Sequence, residues 1–232
     1  MSERKVCVVV GVGPGNGEAY ARRFAEGGYR VALLARSEEP AKALAEELGG
    51  ESYTCDVRDT DRVREVMCQI HGDLGPIEVL LYNAGSGVFG DIEAVDEDTL
   101  RAAWEVNVLG LFAAARAVTP TMKERGGAIV VTGATASLRG GARFAAFASA
   151  KGAQRNLVQS MARQLQPEGV HVALVIIDGM VDLPRTREMA PAMKDEEFLQ
   201  PAAIAESVWH VAHQPKSAWT HELDLRPHTE SF

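Results

Sequence analysis

Apolar residues along the chain fall into two alternating rhythms. Short unbroken runs read as buried strands: VCVVV (6–10), RVALLA (30–35), SYTC (52–55), EVLLY (78–82), AIVVT (128–132), HVALVII (171–177) and ELDL (222–225). Between them lie longer amphipathic stretches with helical spacing, at 16–27, 38–48, 58–73, 96–124, 145–166 and 201–213. Strands alternating with helices predict βαβ units around a parallel sheet, and continuous apolarity in the strands predicts that helices cover both faces. The expected fold is α/β: a Rossmann-type, doubly wound parallel sheet in three layers, forming a single domain over 1–232. No Gly/Ser/Pro-rich linker and no internal repeat divides the chain. One segment breaks the rhythm. Residues 183–200, LPRTREMAPAMKDEEFLQ, are charged and irregular, and are expected as a mobile flap or short helix over one end of the sheet.

Composition narrows the classes of function. The formal net charge is -8, which speaks against nucleic acid, because phosphate binding needs a basic stripe. No apolar segment reaches the roughly 18 residues of a membrane helix. The opening MSERKV lacks a signal peptide's apolar centre, so a cytoplasmic protein is expected. Cys7, Cys55 and Cys68 are odd in number and widely spaced, which argues against a disulfide framework or a zinc site. Cys7 and Cys55 lie in apolar runs and read as small buried side chains. His210 and His213 share one helical turn, but no nearby pair of ligands completes a metal site.

The first candidate chemistry follows the first strand. GVGPGNG, Gly11 to Gly17, places Gly11, Gly15 and Gly17, with Asn16 between the last two, at the opening of the first helix. Glycines there let backbone N–H groups approach a pyrophosphate, and the helix N-terminus adds partial positive charge. A tight strand-to-helix turn also wants glycine, so the loop alone is a weak signal. About 20 residues further on, an acidic side chain would bond the ribose 2′-OH of NAD. The second strand instead ends at Ala35-Arg36. Arg36 suits a 2′-phosphate, with Ser37 as a further hydroxyl, which favours NADP(H) over NAD(H). Asp56 and Val57, after the third strand, are candidates for the adenine edge and ring face.

Together with Asn83-Ala84-Gly85 after the fourth strand, Asn107 in a long helix and Lys151 in the next, these motifs resemble the short-chain dehydrogenase/reductase family over essentially the whole chain. The resemblance implies that Asn83, Ala84 and Gly85 support the sheet beside the cofactor. It also implies that Asn107 holds a water in a proton relay and that Lys151 bonds the nicotinamide ribose. Gly179 and Val181, after the sixth strand, are assigned to the cofactor with them. The sequence departs from the family at its chemical centre. The tyrosine four residues before the lysine is Phe147, and the serine about thirteen residues before that is Ala134, with Thr135 next to it. Asp178 stands where proline is expected, Leu183 where threonine is expected, and Val10 where threonine usually opens the glycine loop. The expected class is an atypical subgroup lacking the tyrosine.

A phenyl ring cannot titrate, and losing general acid catalysis costs about 10² to 10⁴ in rate. The loss matters less for a substrate that supplies its own charge, as an iminium does. Asp178 at the rim of the sixth strand is either a replacement acid or, with Gly179, a turn pair. Thr135 is a hydrogen-bond donor to an oxygen. Asp182, Arg139 and Arg143 are candidates for the mouth, with Arg143 suited to an anion. Three functions stay open: an oxidoreductase acting on a small carbonyl, imine or alkene; a non-redox nucleotide-binding regulatory protein; or an isomerase, cyclase or lyase on the same scaffold. The alanine-rich helices at 96–124 and 145–166 suit close helix contacts, and the resemblance implies a homodimer or homotetramer built on them.

Overall fold

The computed structural model describes residues 5–230. Met1–Arg4, most of the segment read for a signal peptide, lie outside the described residues. The strands in chain order are β1 (Val6–Val10), β2 (Arg30–Ala35), β3 (Glu51–Thr54), β4 (Ile77–Tyr82), β5 (Gly127–Ala134), β6 (Val170–Ile177), β7 (Met180–Val181), β8 (Phe198–Leu199) and β9 (Glu222–Leu225). The helices are α1 (Asn16–Glu26), α2 (Glu38–Leu48), α3 (Thr60–Leu74), α4 (Glu97–Trp104), α5 (Gly110–Arg125), α6 (Ala145–Leu165), α7 (Pro184–Met189) and α8 (Pro201–Ala212). Seven strands form one parallel sheet in the order β3-β2-β1-β4-β5-β6-β9. The order reverses between β1 and β4, and such a reversal opens a crevice at the carboxyl ends of the strands.

The apolar runs are continuous because alternate residues enter two different cores. Val6, Val8 and Val10 pack with Val63, Ile70, Leu111 and Val158 from α3, α5 and α6. Cys7 and Val9 point the other way, toward Tyr20, Phe24, Leu44, Ile204 and Val208 from α1, α2 and α8. Each such large side chain taken fully out of water contributes about 1.5–3 kcal/mol, so both helical layers are anchored by the same strands. Asp59 and Asp96 cap α3 and α4, accepting from the backbone N–H of Arg62 and Thr99. Each such cap is worth about 1 kcal/mol.

The structure departs from the expected elements in three places. First, the stretch 96–124 is not one uniform helix. A π-helical turn, Glu105–Leu109, separates α4 from α5 and carries Asn107. Tyr82 at the end of β4 donates its hydroxyl to the Val106 carbonyl at 2.6 Å, inside that widened turn. A methyl group at Gly110 would lie 2.4 Å from the same hydroxyl and 2.8 Å from the Val57 carbonyl oxygen, so this close approach requires glycine. Second, the alanine faces expected between subunits are largely spent inside the chain: Ala113, Ala114 and Ala115 are buried in the core, and Ala146 and Ala150 pack on Ala103 of α4. Third, the irregular segment forms a short helix, α7, as expected, but also supplies β8, which pairs with β7 in a small separate sheet.

Tyr82 is fully buried. Tyr82→Phe leaves the Val106 carbonyl without its partner and is expected to lower the free energy of unfolding by about 1 to 2 kcal/mol in a urea titration. An unchanged midpoint with unchanged slope would contradict the role given to this bond.

Candidate active site

The glycine loop sits at the reversal of strand order. Gly11 and Val12 donate backbone N–H groups to the Leu34 carbonyl, and Gly11 has a positive φ of 89°. A side chain at Gly11 would strike the Ala84 backbone, 2.4 Å from its nitrogen. Asn83 latches the loop from β4: its backbone N–H bonds the Val10 carbonyl and its Nδ2 bonds the Gly11 carbonyl, both at 2.8 Å. Gly17 lies on the first turn of α1, 2.5 Å at its would-be Cβ from the Gly11 carbonyl. Leu183 leans over Gly15 from the segment after β6, close enough that a methyl group there would meet its Cδ2 at 2.3 Å.

From this loop a cleft of about 530 Å³ runs past Ala35 and Arg36 to Asp56 and Val57, and on the other side along Asn83, Ala84 and Gly85. Its charged lining is mostly cationic: Arg36, Arg58 and Arg185. Arg58 holds Asp56 through both carboxylate oxygens, with Nη2 to Oδ2 at 2.6 Å, and this pairing lowers the Asp56 pKa, with Arg36 adding a smaller effect. Asp56 is therefore engaged by a neighbour two residues away. Arg36 stays exposed at the cleft wall. Ser37 precedes α2 and makes no cap bond; it, Gly15, Asn16, Gly17, Gly179 and Val181 are not among the residues lining the cleft, to which the loop contributes Gly11, Val12, Gly13 and Pro14. Val181 belongs to β7 instead, and Gly179, at φ 144°, packs against Pro227.

At the rim of the cleft, Lys151 and Asn107 converge on Gly85. A methyl group at Gly85 would sit 3.6 Å from Lys151 Nζ and 3.5 Å from Asn107 Oδ1. Lys151 donates to the Thr132 carbonyl and to Gln154 Oε1, each at 2.9 Å. It is buried, and burial pulls its pKa down to about 7. Asn107 is fully buried; its Nδ2 donates to the Ala103 carbonyl, and its Oδ1 has no partner among the described residues. An orphaned buried acceptor beside an ammonium, above a bare glycine backbone, fits a hydroxyl-bearing ligand such as a ribose. With a glycine loop and a cationic wall at the other end, the residues present fit a dinucleotide, NADP(H) included.

The expected replacement acids are committed elsewhere. Thr135 does not turn into open space: its hydroxyl donates to Asp178 Oδ1. Asp178 is buried and also ion-paired with Arg226, Nη2 to Oδ2 at 3.1 Å. Both neighbours are donors to this carboxylate. Asp182 is gripped by Arg187 and Gln200, which hold its pKa at about 2. Arg139 and Arg143 are exposed. Phe147 lies half-buried one turn before Lys151, edge-on to Phe89 and Phe144 with ring centroids 5.6 and 6.0 Å away. Four residues at or beside the site were not anticipated: Arg58, Arg185, Gln154 and Arg226.

A cleft at the switch point of a doubly wound parallel sheet, headed by a glycine loop, defines the class of Rossmann-type nucleotide folds. The model of one family within that class, described as short chain dehydrogenase, matches residues 5–194, and the chain belongs to this family of oxidoreductases. It is 31% identical over 196 residues to the 3-oxoacyl-[acyl-carrier-protein] reductase of Rattus norvegicus, covering 84% of this chain and 81% of that one. Among solved structures it is similar to a short-chain dehydrogenase from Rhodopseudomonas palustris, at 36% identity and a TM-score of 0.83, covering 98% and 100% of the two chains. It is also similar to an alcohol dehydrogenase from the archaeon Thermococcus sibiricus complexed with 5-hydroxy-NADP, at 30% identity and a TM-score of 0.87, covering 99% of each.

Two outcomes test this geometry. Lys151 has a folded pKa of about 7 against an ordinary 10.5, so between those values the unfolded chain binds more protons than the native one. Its burial therefore costs stability below pH about 7, and the cost is relieved as pH rises through that window. The stability of Lys151→Met relative to the unmodified protein is expected to be highest at pH 6 and to fall by pH 9, as read by denaturant melts; a pH-independent difference would contradict the burial. Arg36→Ala is expected to weaken NADPH binding at least tenfold more than NADH binding in a fluorescence titration. Equal losses would remove Arg36 from the nucleotide site.

Proposed function

We propose that the protein is an NADP(H)-dependent reductase of an atypical short-chain dehydrogenase type, in which Phe147 stands for the tyrosine and Ala134 for the serine, acting on a small carbonyl, imine or activated alkene. The observation that carries this reading is the convergence of Lys151 Nζ and the orphaned Asn107 Oδ1 on the rim of the glycine-loop cleft. The bound dinucleotide supplies a hydride at its nicotinamide ring. The chain's own part is placement. Gly11, Gly15, Asn16 and Gly17 admit the pyrophosphate at the start of α1, and Arg36 with Ser37 meets the 2′-phosphate. Asp56 and Val57 border the adenine, and Asn83, Ala84 and Gly85 floor the cleft; Gly179 and Val181, which do not line it, could reach the cofactor only if the segment after β6 moves. Lys151 holds the ribose hydroxyls, and the unpartnered Asn107 Oδ1 beside it is the acceptor for a relay water. The NADP complex of the similar alcohol dehydrogenase supports the choice of nucleotide, with NAD(H) as the alternative. Phe147 fills the volume of a ring while keeping water away from the lysine.

A second reading has a specific observation behind it. Thr135, Asp178 and Arg226 are tied to one another, which removes the nearest polar side chains from chemistry. That favours a nucleotide-responsive binding protein without turnover; an isomerase, cyclase or lyase would need Asp178 released from Arg226. Tight NADPH binding with no oxidation across a broad panel of acceptors selects the binding protein. Product formation without nicotinamide oxidation selects the non-redox enzyme.

The protein is further read as a single domain that acts in the cytoplasm. A homodimer or homotetramer fits Leu100, Trp104 and Phe112, apolar residues left exposed on α4 and α5. Among the described residues no helix is long and apolar enough to cross a membrane. Phe147→Tyr is expected to raise NADPH-dependent reduction of simple ketones at least tenfold, because it restores a titratable hydroxyl one turn from Lys151. No change in that rate, with NADPH still bound, would contradict the placement of Phe147.

A further inference from the structure

Gln154 lies one turn after Lys151 on α6 and is fully buried. Its Oε1 accepts from Lys151 Nζ, and its Nε2 donates to the main-chain carbonyl of Asn107, both at 2.9 Å. This orientation of the amide is forced. An ammonium offers only donors and a carbonyl only acceptors, so the amide oxygen must face Lys151. The groups that face Nζ from other elements are the Thr132 carbonyl of β5 and, near Gly85, the Asn107 side chain of the π-helical turn. None is ionisable, and burial alone accounts for the depressed pKa.

A carboxamide neither releases nor takes up a proton near neutral pH, so it holds the lysine without feeding it protons. In front of the lysine, Phe147 has no proton to give. The Thr135 hydroxyl is committed to Asp178, and the Ser137 hydroxyl to the Ala134 carbonyl. What this wall does offer is aromatic surface. Phe147 packs with Phe89 and Phe144, and the backbone pairing of Gly90 with Phe144 pins the two loops that carry those rings. Ring faces attract cations.

We propose that Gln154 is a fixed amide plug behind Lys151, and that the pocket in consequence takes an acceptor bringing its own positive charge, a C=N iminium. The inference rests on the reading of the cleft as a reductase site for NADP(H). The balance would close without a proton from the protein: a bound reduced dinucleotide would supply a hydride with its electron pair to the iminium carbon, and the C=N π pair would become the nitrogen lone pair. A neutral amine and the oxidised dinucleotide result. A ketone in the same position would become an alkoxide, for which neither Gln154 nor Phe147 supplies a proton. Lys151 fits this arrangement, since a lysine that is neutral above pH about 7 does not repel a cation.

The test compares an N-methylated cyclic iminium, which carries its charge at every pH, with the ketone of the same ring skeleton, each with NADPH. Expected is a kcat/KM at least tenfold higher for the iminium, not falling between pH 6 and pH 9. A ratio below ten overturns the proposal. So does ketone turnover that falls as pH rises through 7, since that assigns the proton to Lys151. The plug is tested with the near-isosteric Gln154→Glu, which introduces a group able to carry a proton. The lysine ε-carbon resonance of Lys151 is expected to report a raised pKa in that variant. Added to Phe147→Tyr, the change is expected to raise ketone turnover at least threefold further. An unmoved resonance, or a moved one with no gain in turnover, overturns the plug. The parent reading fails separately, if NADPH fluorescence shows no binding; NADPH binding without an iminium preference removes only this inference.

Discussion

Asn83 joins β4 to the glycine loop through two hydrogen bonds, one from its backbone to Val10 and one from its side chain to Gly11. These bonds fix the point where the sheet changes direction, and everything around the cleft is placed relative to them. Gly11 is pressed against Ala84 so closely that no side chain fits. The loop therefore cannot drift away from β4 without breaking both bonds and opening a gap between two buried strands. The crevice on one side receives Arg36 from the end of β2; on the other side it runs along Gly85, near which Lys151 and Asn107 meet, and on to Val88 and Val106.

The second constraint is the burial of Lys151. An ammonium inside a protein needs acceptors or it loses its charge. This one has two neutral acceptors and no carboxylate, so its charge is held weakly. The neighbouring carboxylate at Asp178 is satisfied by Arg226, which follows β9. The two strongest polar groups near the rim thus belong to separate networks, one neutral and one ionic. Lys151 is held by neutral acceptors alone, while Asp178 is held by donors alone.

Much of this was legible in the sequence. The central strands were readable because both faces are covered, so Val6 to Val10 and His171 to Ile177 appear as unbroken apolar runs; the edge strands β3 and β9 are partly exposed and were read from shorter runs. The glycine loop, Asn83-Ala84-Gly85 and Arg36 were found at their positions because backbone approach and charge at the end of a strand leave marks in composition. Other features left none. A π-helical turn keeps the chain helical from α4 into α5 and has no Gly or Pro within Glu105–Leu109 to mark it, so 96–124 read as one helix. Alanine at helical spacing does not say whether the helix it meets lies in the same chain. Gln154 carried a usable signal, three residues after Lys151 on one helical face, but glutamine is ordinarily a surface residue. Arg226 is brought to Asp178 only by the pairing of β6 with β9, a long-range contact that no local pattern encodes.

The central claim is that the cleft holds a nicotinamide dinucleotide with its reactive end at Lys151. A crystal structure of the NADPH complex tests it most directly. The account predicts the pyrophosphate over Gly11 to Gly17 and a nicotinamide-ribose hydroxyl within hydrogen-bond distance of Lys151 Nζ. A dinucleotide bound with that ribose away from Lys151, or no nucleotide in the cleft at saturating concentration, would contradict it.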